Sequence, residues 1–340
     1  MAGRQALKAL AMQTFEWTRT TAMTPLSRRS LAALALCALA LPALAQGPIT
    51  LIVGWPAGGP SDNVARLAAT RMSEALGQPI TIDNRAGAGG NLGSDATARA
   101  RPDGNTIMLA TVASHGLNSA LYTKLNHDPL KDFAPIGMIT TSPSVLLVPV
   151  ASPLRSVNDL LEAARARPGQ LNYGSGGVGS SQHLAGASFK QLTGVDVTHI
   201  PYKGTAPAMT DLMAGRVDFV LTTGAIPFIR SGKLRALAVA SRQRLPALPD
   251  VPTFEEAGVK GFYTDSWYGL VAPAGTPRAA LERLNGALAT ALRNPEVQKQ
   301  FIEQGSLPVK PMGVDAFWRF VREQMPVAAE QVRVSGARAE

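Results

Sequence analysis

ITLIVGWPAGGPSD, residues 49–62, sets the fold: a buried strand, a Pro/Gly turn and the start of a helix follow one another directly. Ile49, Leu51, Ile52 and Val53 supply the strand. Val64, Leu67, Ala68, Met72, Ala75 and Leu76 recur at helical spacing, with Asp62 as the expected N-cap and Gly77 as the stop. Between them, Ala57, Gly58 and Gly59 place nearly bare backbone ahead of a helix N-terminus. Free N–H groups and the positive end of the helix dipole suit a small anion there, most readily a carboxylate. A tight turn that binds nothing is the alternative.

Upstream of this stretch the chain reads as an export leader. Arg28 and Arg29 form a basic region, residues 31–41 an apolar core, and Ala43-Leu44-Ala45 a small-x-small cleavage site before Gln46. The apolar run is too short to span a bilayer. Residues 1–22 fit no export signal, so Met23 is the expected initiator and 23–45 the signal peptide, of the Sec rather than the twin-arginine type. Removing the leader lowers the net charge from +9 to about +5 and takes away Cys37, the one cysteine. An exported chain without cysteine relies on its core instead of disulfides. The remaining basic residues are scattered, so no nucleic-acid or membrane patch is expected.

Downstream, strand and helix signals alternate, which marks an α/β fold with mainly parallel strands. Strands are expected near 50–53, 80–83, 106–110, 136–139, 145–150, 171–173, 197–200, 219–221, 236–240 and 269–272. Thr205 and Pro207 open a helix that Gly215 closes, and Thr276 and Pro277 open another that runs to Arg293. The last stretch, Asp315 to about Val334, is amphipathic and interrupted by Pro326. Crossings between domains are expected at 140–145 and 267–275, the second followed by a wholly helical tail. The expected division is 47–144 with 270–340 as one domain and 145–269 as the other, joined by a hinge with a cleft between them.

Gly174-Ser175-Gly176-Gly177-Val178-Gly179 fits G-x-G-x-x-G between a strand and a helix, 181–192. The acidic partner of a dinucleotide site belongs at the end of the next strand, whereas Asp196 stands at its beginning. A Gly/Ser loop that offers N–H and hydroxyl donors to a phosphate or carboxylate remains. Residues 84–93, NRAGAGGNLG, form a second glycine-rich turn, either approaching a ligand or letting Arg85 fold back onto an acid. His115, His127, His183 and His199 show no metal-ligand spacing, and no hydrolase elbow or reactive thiol follows the leader. His183 faces the cleft or satisfies an interface; His199, in an apolar strand, reads as structural. Lys203 ends a strand where it can lend a positive field to an anion. No cofactor or metal is expected.

Assembled, these pieces resemble the tripartite tricarboxylate transporter substrate-binding proteins, also called Bug or TctC-like receptors. The carriers are 55–62 (WPAGGPSD), 84–93, 102–104 (PDG), 182–186 (QHLAG), 199–204 (HIPYKG), 232–239 (GKLRALAV), 248–253 (LPDVPT) and 267–277 (WYGLVAPAGTP). The likeness runs from about Pro48 to Phe320. It implies a two-domain periplasmic binding protein of type II-like architecture that closes on a small mono- or dicarboxylate by hinge bending. By position, the resemblance assigns ligand contacts to Ala57, Gly58 and Gly59; to Ser114, His115 and Asn118; and to Ser175, Gly177, Ser180, Ser181 and His183. It adds Tyr202, Lys203, Thr222 and Thr223. At that last place the family commonly carries an acid and an asparagine, whereas this chain has Leu-Thr-Thr-Gly. Ala86 for a proline and Trp55 for a smaller aromatic read as packing changes. The implied protein is a non-catalytic periplasmic monomer serving a membrane permease. A receptor that signals to a membrane sensor, or a cleft-based hydrolase with His183 as base, are the rivals.

Overall fold

The computed structural model describes residues 47–338. The initiator, the signal peptide and its cleavage site lie outside them.

Five strands of the first unit are β1 (Ile49–Val53), β2 (Ile80–Asn84), β3 (Thr106–Thr111), β4 (Phe133–Pro143) and β10 (Asp265–Pro273). With the two-residue β11 (Leu307–Pro308) they form one sheet in the order β11-β4-β10-β3-β1-β2. The helices α1 (Pro60–Leu76) and α2 (Asn91–Ala98) link β1 to β2 and β2 to β3, so β1 pairs parallel with both neighbours. β10 returns antiparallel between β3 and β4.

The period of two in β1 explains why a short apolar run serves two layers. Ile49, Leu51 and Val53 face a core shared with Val64, Ala68 and Met72 of α1 and with Leu284 and Leu288 of α8 (Arg278–Arg293). Ile52 faces the opposite core, with Met108, Phe133, Trp267 and Phe317. Phe317 belongs to α10 (Val314–Ser335), which runs through Pro326 without ending. The tail is therefore not wholly helical: α9 (Pro295–Glu303) is followed by β11 before α10 begins.

The second unit holds the antiparallel sheet β8-β5-β9, made of Val220–Thr222, Val145–Pro149 and Leu234–Val239. Beside it lies the parallel pair β6 (Asn172–Ser175) and β7 (Thr198–Pro201), joined to the β8 side by a bridge from Tyr173 to Phe219. Alternation again divides the core. Leu146 and Val148 pack with Tyr173, Phe189 and Phe254, while Val145 and Leu147 pack with Met209 and Leu212. The helices here are α4 (Val157–Ala166), α5 (Ser181–Thr193), α6 (Thr205–Met213) and the single turn α7 (Ile226–Arg230). In the first unit, α3 (Asn118–Leu121) follows a π turn at Ala113–Leu117.

The chain leaves the first sheet at Ser144 and comes back at Thr264. Three backbone bonds tie the crossing: Ser144 N–H to Thr264 O at 3.0 Å, Ala240 N–H to Ser144 O at 2.8 Å, and Thr264 N–H to Ala240 O at 3.1 Å. The returning strand thus begins at Asp265, four residues ahead of the expected strand at 269–272, and the crossing falls just ahead of the expected 267–275.

Candidate functional site

The Ala57–Gly59 turn lies where the sequence placed it, but α1 starts at Pro60 with Gly59 as its cap, three residues before the expected cap Asp62. Proline at the first helical position is itself a start signal, and it wins here. Asp62 sits in the first turn, 2% exposed, and its carboxylate turns back into the loop. It accepts from Gly58 N–H at 2.9 Å, Arg66 Nε at 2.7 Å and Asn84 Nδ2 at 2.9 Å. Burial pushes its pKa up, but these donors outweigh burial and hold it below the ordinary 3.8. An internal carboxylate therefore engages the Gly58 amide that was expected to meet a ligand.

The loop of the second unit is also internally satisfied. Gly176 N–H donates to Gln182 Oε1 at 2.9 Å, Gly177 N–H to Ser175 Oγ at 3.1 Å, and Gly179 N–H to His183 Nδ1 at 3.1 Å. Ser180 caps α5, its Oγ accepting from His183 N–H at 3.3 Å. Ser175 Oγ lies 2.6 Å from His199 Nε2. Ser175 and His183 consequently hold the loop from behind, and neither lines the inner recess described below.

The π turn corrects another expectation. It swings Ser114, His115 and Asn118 inward, away from the cleft. Ser114 Oγ takes Thr111 N–H at 3.0 Å and stands 2.9 Å from His115 Nδ1. The His115 ring is fully buried, edge-on to Phe133 at 4.7 Å, and burial, then the nearby His127, pushes its pKa down to about 3. Asn118 Nδ2 donates to Gly89 O and Asn91 Oδ1. Tyr202 likewise turns aside, donating to Asp211 Oδ2 at 2.8 Å, and Thr222 accepts from Gln182 Nε2 at 3.0 Å.

A recess with about 420 Å³ of empty space remains between the units. Its hydroxyl-bearing walls are Ser61, Thr111, Ser180, Ser181, Thr205, Thr223, Ser266 and Tyr268, closed by Trp55, Pro60, Val112 and Ala113, with the Gln182 amide alongside. Among the described residues, no charged side chain lines it. The Tyr268 hydroxyl, on the returning strand, meets Ser61 from the first unit and Thr223 from the second, the latter at 3.4 Å. Burial raises the Tyr268 pKa, so it remains a neutral donor. Outside Trp55 a second space of about 470 Å³ is lined by Ala57, Gly59, Pro60, Lys203 and Thr205. Of the residues expected from sequence, the structure thus brings together Ser180, Ser181 and Thr223 inside, and Ala57, Gly59 and Lys203 at the mouth.

The units touch across this space. A Cβ built on Gly179 would lie 1.9 Å from Leu121 Cδ2, one on Gly224 2.9 Å from Pro60 Cγ, and one on Gly204 3.6 Å from Pro56 Cγ.

Residues 64–333 match the model of the tripartite tricarboxylate transporter family receptors. The chain belongs to that family. Receptors of this family are periplasmic solute-binding proteins, and the two-unit α/β architecture is theirs. A UPF0065 protein from the tcbD-tcbE intergenic region of Pseudomonas sp. is 42% identical over 290 residues, 82% of this chain and 85% of that protein. BugT of Bordetella pertussis is 36% identical over 294 residues, 86% and 90% of the two chains. Among solved structures, an R. palustris protein with adipate is 36% identical with a TM-score of 0.83, covering 87% of this chain and 99% of its own. MatC from Rhodopseudomonas palustris with bound malate is 35% identical with a TM-score of 0.79, covering 84% and 99%.

Within this receptor, the lining residues that sequence reasoning missed are chiefly Ser61, Thr205, Ser266 and Tyr268. Ser61 follows the glycine turn directly, and Ser266 and Tyr268 share one face of β10 by strand alternation, a signal present in the sequence once that strand is placed.

Proposed function

We propose that this receptor captures a small mono- or dicarboxylate in the periplasm, as a monomer, and delivers it to a tripartite tricarboxylate-type permease. The lobes that close on it are 47–144 with 265–338, and 145–264; the boundary expected after residue 269 moves to 264 because β10 begins at Asp265. Supporting this is the hydroxyl-lined, charge-free recess between the units, together with the carboxylates held by two relatives of the same family. Neutral donors arranged in a dry cleft stabilise a carboxylate without an ion pair, and Trp55 with the proline walls sorts the rest of the molecule by shape. Ser61, Ser180, Ser181, Thr205, Thr223, Ser266 and Tyr268 are the proposed donors, with Ala57, Gly59 and Lys203 at the entrance. The protein works by binding: His183, the base named for the hydrolase rival, has Nδ1 committed to Gly179.

A thermal-shift screen of aliphatic and aromatic acids, adipate and malate among them, tests this. A ligand present at 100 times its Kd adds about 2.7 kcal/mol of stability and raises the Tm by mass action. Shifts by sugars or amines with none by any carboxylate overturn the ligand class.

A further inference from the structure

Four aromatic rings run in a column from the core of the second unit to the back of its glycine loop. Phe219 stacks on Tyr173 with centroids 5.7 Å apart, Tyr173 on His199 at 5.0 Å, and His199 on His183 at 4.0 Å with only 12° between their planes. The column has a made seat: a Cβ on Gly186, inside α5, would fall 2.1 Å from the Tyr173 ring. Each histidine then grips the loop once, His199 through Ser175 Oγ at 2.6 Å and His183 through Gly179 N–H at 3.1 Å.

The second grip fixes a protonation state. An amide N–H only donates, so His183 Nδ1 must be bare and the ring neutral, with its proton on Nε2. Adding a proton to Nδ1 sets two donors against each other and, with His199, brings charge into a face-to-face stack. We infer that His183 and His199 are positioning residues that hold the Ser175–Ser180 loop in its ligand-ready shape, and that the His183 part of this hold exists only while that imidazole is neutral. The functional weight of this rests on the proposed carboxylate site; the hold itself does not.

Among the described residues, none sets an unpaired charge against either ring. Lys190 of α5 and Asp196, which precedes β7, pair with each other at 3.0 Å in a separate hollow, distinct from the ligand recess, that both histidines line. Tyr173 of β6 and Ser335 of α10 complete the faces turned toward the histidines. Among the described residues the one histidine–carboxylate pair belongs to His127 and Asp95. Burial lowers both pKa values from 6.5, and His199, with the added effect of His183, falls to about 4. The held loop therefore resists protons that a released loop accepts near 6.5. Its stability is complete above that value and falls as pH drops below it through the depressed value of His183.

Amide hydrogen exchange of the ligand-free protein, corrected for intrinsic rates, tests this without any ligand being known. The readout is protection at Gly176, Gly177, Gly179 and Ser180 at pH 8 and pH 5, in wild type, His183→Ala and His183→Asn. Asparagine sets an amide oxygen where Nδ1 stood and does not titrate. The expected result is about a tenfold loss of protection in wild type at pH 5, the same loss already at pH 8 in His183→Ala, and protection at both pH values in His183→Asn. Equal protection at pH 8 and pH 5 in wild type, or wild-type protection in His183→Ala, overturns the inference. Adipate and malate titrations of wild type at pH 8 are scored apart: if neither binds while protection follows the expected pattern, the ligand choice fails and the positioning role stands.

Discussion

Two glycine-rich turns at strand-to-helix junctions face each other across the cleft, and they are built on opposite principles. The Ala57–Gly59 turn is closed by a charge, the Asp62 carboxylate with Arg66 and Asn84 gathered round it. The Ser175–Ser180 turn is closed by neutral groups, the Gln182 amide and the His183 and His199 imidazoles. Both satisfy most of their own amides, so the donors proposed for a ligand are the neighbouring hydroxyls. The difference teaches that a Gly-rich turn before a helix marks a place where N–H groups need partners, and that the partner is as readily a side chain of the protein as a guest.

The comparison breaks most severely at Asp62. Asp62→Ala strands Gly58 N–H, leaves Asn84 Nδ2 with Trp55 O alone, and removes the carboxylate partner of Arg66. Urea unfolding should show a loss of about 2–3 kcal/mol, the scale of hydrogen bonds to a buried charged group. Asp62→Asn, which keeps an acceptor, should lose less.

Next comes the contact between the two regions. Gly179→Ala drives a methyl against Leu121, so the ligand affinity measured by calorimetry should fall about tenfold, or about 1.4 kcal/mol. Adding Leu121→Ala should restore part of it. Gly194→Ala is the control: its φ of +68° carries a similar strain, yet nothing lies within 4 Å, so stability drops while affinity holds. Loss of affinity in Gly194→Ala as well would assign the effect to backbone strain and remove closure from the explanation.

Acid should then separate the turns. The histidine-held loop loosens as pH falls below 6.5, whereas Asp62, held below 3.8, retains its grip until the pH falls through that depressed value. Exchange at Gly58 and Gly179 in one titration reads both. The smallest effect is expected from Ser180→Ala, which removes the cap of α5 for about 1 kcal/mol.

Much of this was legible in advance. All ten expected strands are present, because alternating and continuous apolar runs bounded by glycine and proline leave few other options. The second glycine turn also took its structural form: Arg85 pairs with Asp83 at 2.8 Å, and a Cβ on Gly54 would meet Gly90 at 2.9 Å. The site was harder to read. Nothing local announces a π turn: Ser114, His115 and Asn118, assigned to the ligand only by their position in the resemblance, are buried in the structure. Ser266 and Tyr268 arrive from a strand some 200 residues away in sequence from Ser61, and only the sheet order β4-β10-β3 brings them to the floor.

The final helix ties the two units together. Phe317 and Val321 anchor α10 in the first unit, while Ala328 and Val332, beyond Pro326, press on Leu184 of α5, the helix that carries the histidine column. Any swing of the second unit must drag on that far end. A bulky affinity tag fused behind it would load the joint like a weight on a door's hinge side, so binding constants from such fusions would report the tag as much as the receptor.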